Sequence, residues 1–297
     1  MSADVLVRVE AESVAAPGSA GLRATLRRLR EHPLGLAGLV FLILLVGFCF
    51  LGPLFYRTNQ TYVDLVNAAL PPGHGHPLGT DTNGFDVLGR LMKGGQISLE
   101  IGLLAAVTAT TVGTLYGAIA GLAGGVVDGI MMRFVDVLLS VPFLFVVLIL
   151  SARFSASALT LSLVIGSFSW LVPARLIRGE VLTLRVREFV LAARVMGISR
   201  RRLIATHLIP NALGVIIVNI TFQIADAILA VATLGFLGFG LTYPTTDWGD
   251  QLSSGATYIS DGYWWLIYPV GVCIILTVLA LNLLAEALSE VLGRRSN

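Results

Sequence analysis

From residue 34 onward the chain alternates long apolar runs with short polar interruptions, and the runs are of membrane-spanning length. A helix needs about 20 mainly apolar residues to cross the hydrocarbon core. Six stretches meet that requirement, at 34–56, 98–122, 134–152, 155–174, 212–237 and 264–285. The third and fourth are separated by little more than Arg153, which predicts a tight hairpin. The fifth contains Asp226 and is glycine-rich beyond Thr233, so its outer end is the least defined boundary. The first run follows a polar tail, residues 1–33, and no small-residue cleavage site follows it, so a retained anchor is expected rather than a removed signal.

Composition agrees with the pattern. Hydrophobic residues make up 56% of the 297 and charged residues only 13%, with a mean hydropathy of +0.84. This is an integral membrane protein, far from the composition of an average soluble domain. The formal charge of +2 carries little information; the placement of the charges carries more. Five Arg precede residue 33, Arg133 follows the second run, eight Arg fall within 175–202, and Arg294 and Arg295 close the chain. The alternate connections hold only Arg57, Arg90, Lys93 and Arg153. By the positive-inside rule both termini and the loop 175–211 are expected in the cytoplasm, with loops 57–97 and 238–263 outside. Cys49 and Cys273 both lie in apolar runs, which gives no disulfide framework or metal site.

The most informative polar segment is 188–211, EFVLAARVMGISRRRLIATHLIPN, wedged between apolar runs. Gly197 predicts a left-handed stop to one short helix, and Ser199 the cap of a second that ends before Pro210. Two short helices meeting at a glycine would form a compact knob. Charge alone fits an ordinary basic loop. A DNA-binding helix-turn-helix is disfavoured because the segment is tethered at both ends to spans, and no nucleic-acid partner is expected.

This segment resembles the cytoplasmic "EAA" loop of ABC importer permeases. Ala192, Ala193, Gly197 and Pro210 fall at that pattern's spacing, Arg187, Glu188 and Phe189 resemble its opening, and His207 to Asn211 resemble its ending. Leu191 departs, standing where the family has Glu. The stretch His76 to Asp81 with Gly84, Asp86, Leu88 and Arg90 is similar to an outer segment of the dipeptide, oligopeptide and nickel group, with Phe85 and Gly89 departing. Leu234 to Gly240, then Pro244, Trp248 and Gly249, resemble the run after the fifth span, although Val231 replaces a frequent Glu. Thr277 to Leu279 with Asn282 to Leu284 resemble the last span. The whole is most similar to the C-type subunit.

The resemblance implies an all-α membrane protein with six transmembrane helices in the type I ABC importer permease fold (MetI-like), one permease domain over 34–297. It implies a homologous B-type permease as heterodimer partner and two ATPase subunits, or one fused ATPase, gripping the loop through Glu188, Ala192, Ala193, Gly197 and Pro210. It further implies an extracytoplasmic substrate-binding protein, contact with membrane lipid, and location in the bacterial plasma membrane. The implied cargo is a short peptide, although nickel, glutathione and other small solutes are carried by near relatives.

The chain itself lacks enzymatic signatures. Its only lysine, Lys93, sits between Met92 and Gly94 and cannot belong to a phosphate-binding P-loop. No HExxH, GxSxG or His–Cys cluster occurs, and there is no 20–50-residue repeat. No catalytic residue, metal ligand or cofactor is expected; ATP and Mg belong to the partner ATPases.

Along the fifth run, Asn219, Gln223, Asp226 and Thr233 recur at helical spacing. A carboxylate inside a span costs about 2.5–3.5 kcal/mol on insertion scales, so it should face protein or water. Two readings stand side by side: a stripe lining the translocation path, or a polar clamp to a partner subunit. A different class, an ATP-independent secondary transporter or channel with Asp226 as its ion site, is kept as the rival. A membrane scaffold without transport activity is a second. Arg133 with Asp136, and Asn282 with Glu286, are expected as structural pairs, Trp264 and Trp265 as interfacial anchors, and 79–81 as a tight turn.

Overall fold

The structure is a computed structural model that describes residues 31–293 except 61, 74, 155, 156 and 243. The polar tail apart from its last residues, Arg294, Arg295 and the start of the fourth apolar run lie outside the described residues.

Among the described residues the fold is helical, with only two isolated bridges, Gly73 with His76 and Thr80 with Asp86. Helix α1 spans Pro33–Phe55, α2 Val87–Ala123, α3 Gly125–Leu139, α4 Phe143–Arg153, α5 Ala158–Ser169 and α6 Leu171–Leu184. Helices α7 (Glu188–Val195) and α8 (Arg200–Leu203) lead into α9 (Ile209–Phe236), followed by α10 (Trp248–Thr257) and α11 (Tyr268–Gly293). Among the described residues four helical stretches are long and apolar enough to cross a membrane, and two bent pairs raise the number to six when each pair is counted as one span.

The third and fourth spans are bent, which hydropathy does not register. Helices α3 and α4 meet at 76° across residues 140–142, and α5 and α6 at 46° beside Trp170. Pro142 explains the first break: with no N–H to donate and a fixed φ it suits the start of α4 and not the interior of a helix. At the second break, Gln223 Nε2 of α9 donates to Ser169 O at 2.8 Å, satisfying a carbonyl near the end of α5.

The central element is α2, which packs against α1, α5, α6 and α9, while α11 packs on α9 and α1. Helix α2 begins well before its apolar run because Asp86 caps it, accepting from Gly89 N at 2.8 Å. It stops at Gly124 and Gly125, whose positive φ values of 64° and 56° turn the chain directly into α3. Against α6 the packing is backbone to backbone: a Cβ on Gly117 would stand 2.3 Å from Ala174 O, and one on Gly113 2.8 Å from Trp170 O. Small residues four apart permit this approach, as is common between membrane helices.

At the end of the bundle where α2 begins, the tight turns fall on either side of 79–81 and not within it: Gly79 N donates to His76 O at 2.8 Å and Gly84 N to Asp81 O at 3.0 Å, while Thr80 between them forms a bridge with Asp86. Asp81 Oδ1 accepts from Asn83 N and Phe85 N, both at 2.9 Å. Asp86 accepts from Tyr56 OH at 2.8 Å and pairs with His76 Nδ1 at 2.8 Å. Trp265 is not an interfacial anchor. It is only 7% exposed, against 47% for Trp264, and its indole N–H donates to Thr80 O at 3.2 Å. Trp248 is wholly buried, with Nε1 donating to Leu91 O at 3.0 Å.

Candidate functional site

Three features of the 188–211 knob emerge from its local sequence. Helix α7 ends where Gly197 takes φ 75°, with Ile198 N donating to Ala193 O at 3.2 Å, a Schellman-type closure. Ser199 then caps α8, its side chain accepting from Arg202 N at 3.5 Å. Both features follow the sequence expectation. The second helix, however, does not end before Pro210. From Arg200 the chain stays helical to Phe236, passing through a π-turn at Ile204–Leu208. Pro210 has no N–H for the carbonyl of Thr206 and its ring would crowd that group. Widening the preceding turn, with Ile209 N donating to Ile204 O, makes room for it. Asn211 Nδ2 donates to His207 O at 2.5 Å and supports the same turn.

The knob is seated by its apolar side. Val190 and Ala193 of α7 join Leu203 and Leu208 in one buried cluster with Ala118 and Leu122 of α2 and Ile177 and Val181 of α6. Ala192 and Ala193 therefore do different things, since Ala193 is fully buried and Ala192 is exposed. Glu188, Gly197 and Pro210 are exposed as well. The outward face of α7 also carries Phe189, Leu191, Val195 and Met196, all exposed. None of these four is among the expected site residues. Amphipathic spacing within 188–196 could have found them, because Val190 and Ala193 at i and i+3 define the inward side.

The fifth-span stripe is divided. Asn219 and Gln223 are 8% and 6% exposed, within the protomer, whereas Asp226 is exposed. At 100° per residue Gln223 lies about 60° round the helix from Asp226, and the border between buried and open sectors runs through that arc. Asp226 shares its open side with Phe222, Leu229 and Phe236. It is the only charged residue between 212 and 237.

Other charged pairs differ from expectation. Asp136 binds Arg175 rather than Arg133. Asn282 Nδ2 donates to Val278 O of its own helix at 2.8 Å, so the expected pairing with Glu286 is replaced by a bond within the helix. Away from the spans, Asp247 is fully buried at the start of α10, where Oδ1 accepts from Gly249 N at 2.7 Å and Asp250 N at 3.0 Å. Burial raises its carboxyl above the usual range, and does the same to Asp81.

The knob, the bent spans and the run after α9 lie within residues 113–297, which match the family model "Binding-protein-dependent transport system inner membrane component". Residues 22–72 match the "N-terminal TM domain of oligopeptide transport permease C". The chain is 36% identical over 283 residues to the dipeptide transport system permease protein DppC of Bacillus subtilis, covering 95% of this chain and 88% of that one. It is 33% identical over 284 residues to the oligopeptide transport system permease protein OppC of the same organism, covering 95% and 92%. Against the OppC protein of Escherichia coli K12 the identity is 37% over 268 residues, covering 90% and 88%. These are permeases, non-catalytic transport subunits, and their kinship leaves the ATP-independent transporter without support. Two family models in register and relatives matched along nearly their whole length make this chain a member of the binding-protein-dependent transport system inner membrane component family.

Proposed function

We propose that this chain is the C-type membrane subunit of an ATP-driven importer of short peptides, with the α7 face as the contact that receives the work of ATP hydrolysis. The observation that carries this is the two-sidedness of the knob. Its inner side is locked into α2 and α6 through Val190 and Ala193, while Phe189, Leu191, Val195 and Met196 stay uncovered beside Arg187 and Arg194. An apolar face on a firmly seated helix suits a groove in another protein. The cluster beneath it allows a push on α7 to move the spans, because packed cores shift as units and do not deform continuously.

In this reading both termini and the knob are cytoplasmic, in line with the arginine distribution. Two ATPase subunits, or one fused ATPase, hold ATP and Mg; this chain contributes no group to nucleotide. A homologous B-type permease completes the path, and an extracytoplasmic binding protein delivers the cargo at the end bearing Tyr56, His76 and Asp86. Closure of the ATPases on ATP draws the paired knobs together and opens the path outward; hydrolysis returns it inward. The names of the relatives favour a peptide as cargo.

Asp226 lines the path where the two permeases meet. A carboxylate turned to lipid would cost about 2.5–3.5 kcal/mol or more, so its open side must meet water or protein. Gln223 and Asn219 stand behind it, Gln223 holding the α5–α6 bend.

The test is co-expression with the neighbouring genes of the chromosome, purification in mild detergent and assay of vanadate-sensitive ATPase activity. Recovery of a second permease and ATPase chains, with activity raised by binding protein plus dipeptide, is expected. Isolation of this chain without an ATPase would refute the coupling assignment; stimulation by another solute and not by peptide would refute the cargo.

A further inference from the structure

Helix α3 is attached to the bundle in an unusual way. Of its fifteen residues only Asp128 and Val135 are buried, and Val126, Ile130, Phe134 and Val137 face outward. Three polar contacts tie it to α6 and α2. Arg178 of α6 binds Asp128 in a two-pronged ion pair, Nε to Oδ1 at 2.6 Å and Nη2 to Oδ2 at 2.7 Å. Arg175 of α6 binds Asp136. Tyr116 OH of α2 donates to Met131 O at 2.9 Å. Beyond the end of α6, Arg185 Nη1 donates to Gly121 O at 3.0 Å, close to the junction of α2 and α3.

Arg175, Arg178 and Arg185 lie within about 80° of one another around the helix at 100° per residue, so they form one edge of α6. That edge ends three residues before α7 begins at Glu188. At its other end α3 turns through the 76° break into α4, where Val147 enters the buried cluster shared by α2, α5 and α9. A helix with little apolar burial has little else to fix its position, and a paired guanidinium and carboxylate is strong and directional. Asp128 is 10% exposed and Arg178 33%, so solvent screening of this pair is partial. Arg175 and Asp136 are about half exposed, so the Asp128 pair is the stronger hold.

We infer that the Asp128–Arg178 pair is a positioning contact that makes α3 follow α6, so that movement of the α7 knob reaches the bent third span. This rests on the importer reading above. Arg178 and Asp128 act through the helices they join and touch neither cargo nor nucleotide. The pair holds α3 to α6 in both the inward and the outward state, and the 140–142 break is the joint at which α4 is redirected.

The test uses the full complex in liposomes with its ATPases, partner permease and binding protein. Peptide accumulated per ATP hydrolysed is measured for the wild type, for D128E, and for the double variant D128N/R178Q, which replaces the ion pair by a neutral pair without stranding a charge. Spin labels at exposed Ile130 and Thr183 report the α3–α6 separation in the nucleotide-free and vanadate-trapped states. Wild type and D128E are expected to keep one narrow separation in both states. D128N/R178Q is expected to assemble, to broaden that separation on trapping, and to lose about tenfold in peptide per ATP while the ATPase rate persists. A purely structural role would lower the yield of complex and leave the ratio unchanged, and that result, or an unchanged separation in the double variant, would overturn the inference. Wild-type uptake in the same vesicles tests the importer reading separately.

Discussion

Replacing Gly117 by Ala is the smallest change that should open the centre of the bundle. The new methyl would stand 2.3 Å from Ala174 O and 2.9 Å from Arg178 N. Both are backbone atoms of α6, so no side chain can rotate out of the way. Contact must relax by about 1 Å to reach ordinary packing distance, which separates α2 from α6 along the seam that also carries Gly113 and Gly121. Overpacking of this kind costs about 1–3 kcal/mol. For a chain of this size that is roughly 2–5 °C in melting temperature. The separation also loosens the cluster of Ala118, Leu122, Ile177 and Val181 on which α7 rests, so transport should fall with stability. Gly129→Ala is the control: nothing lies within 4 Å of its Cβ, and Ala is the better helix former by about 1 kcal/mol. Thermal unfolding of the purified protein in mild detergent distinguishes them. A melting temperature for Gly117→Ala within 1 °C of the wild type would refute the backbone-contact argument.

Further outcomes follow from the same geometry. Ala193→Glu places a carboxylate in a site with no exposure, costing several kcal/mol, so the knob should become protease-sensitive even in the isolated chain; intact knobs that merely fail to bind ATPase would contradict this. Asp226→Ala should retain assembly and cut uptake at least tenfold, and normal uptake would remove Asp226 from the path. Because burial raises the Asp247 carboxyl, the native state holds its proton more tightly than the unfolded chain, and stability from this group is present at low pH and lost as pH rises through the native value. Asp247→Asn should therefore gain on the wild type at neutral pH and lose that advantage on acidification, as read by melting temperature; a pH-independent difference would contradict the sign.

Much of the fold was legible because membrane spans obey one simple constraint, about 20 apolar residues each. Hydropathy cannot register direction, however, so the 76° and 46° bends were missed although Pro142 stood at one of them. The knob was readable from Gly197 and Ser199, whose backbone roles are local. Pro210 misled, since a π-turn can absorb a proline that would otherwise end a helix. For Asp226 the helical spacing was right, but which side of a stripe is open depends on where neighbouring helices pack, and a 60° arc spanned that border. The pairing of Asp128 with Arg178, 50 residues apart, has no local signature at all.

The central claim is that the outer face of α7 docks on an ATPase. A photo-crosslinking amino acid at Val195, 89% exposed, tests it most directly, with Val66 at the opposite end, 90% exposed, as reference. In the assembled complex Val195 should crosslink to an ATPase chain in a nucleotide-dependent way, and Val66 should not. Crosslinks from Val195 to the binding protein, or ATPase crosslinks from Val66, would invert the topology and contradict the account.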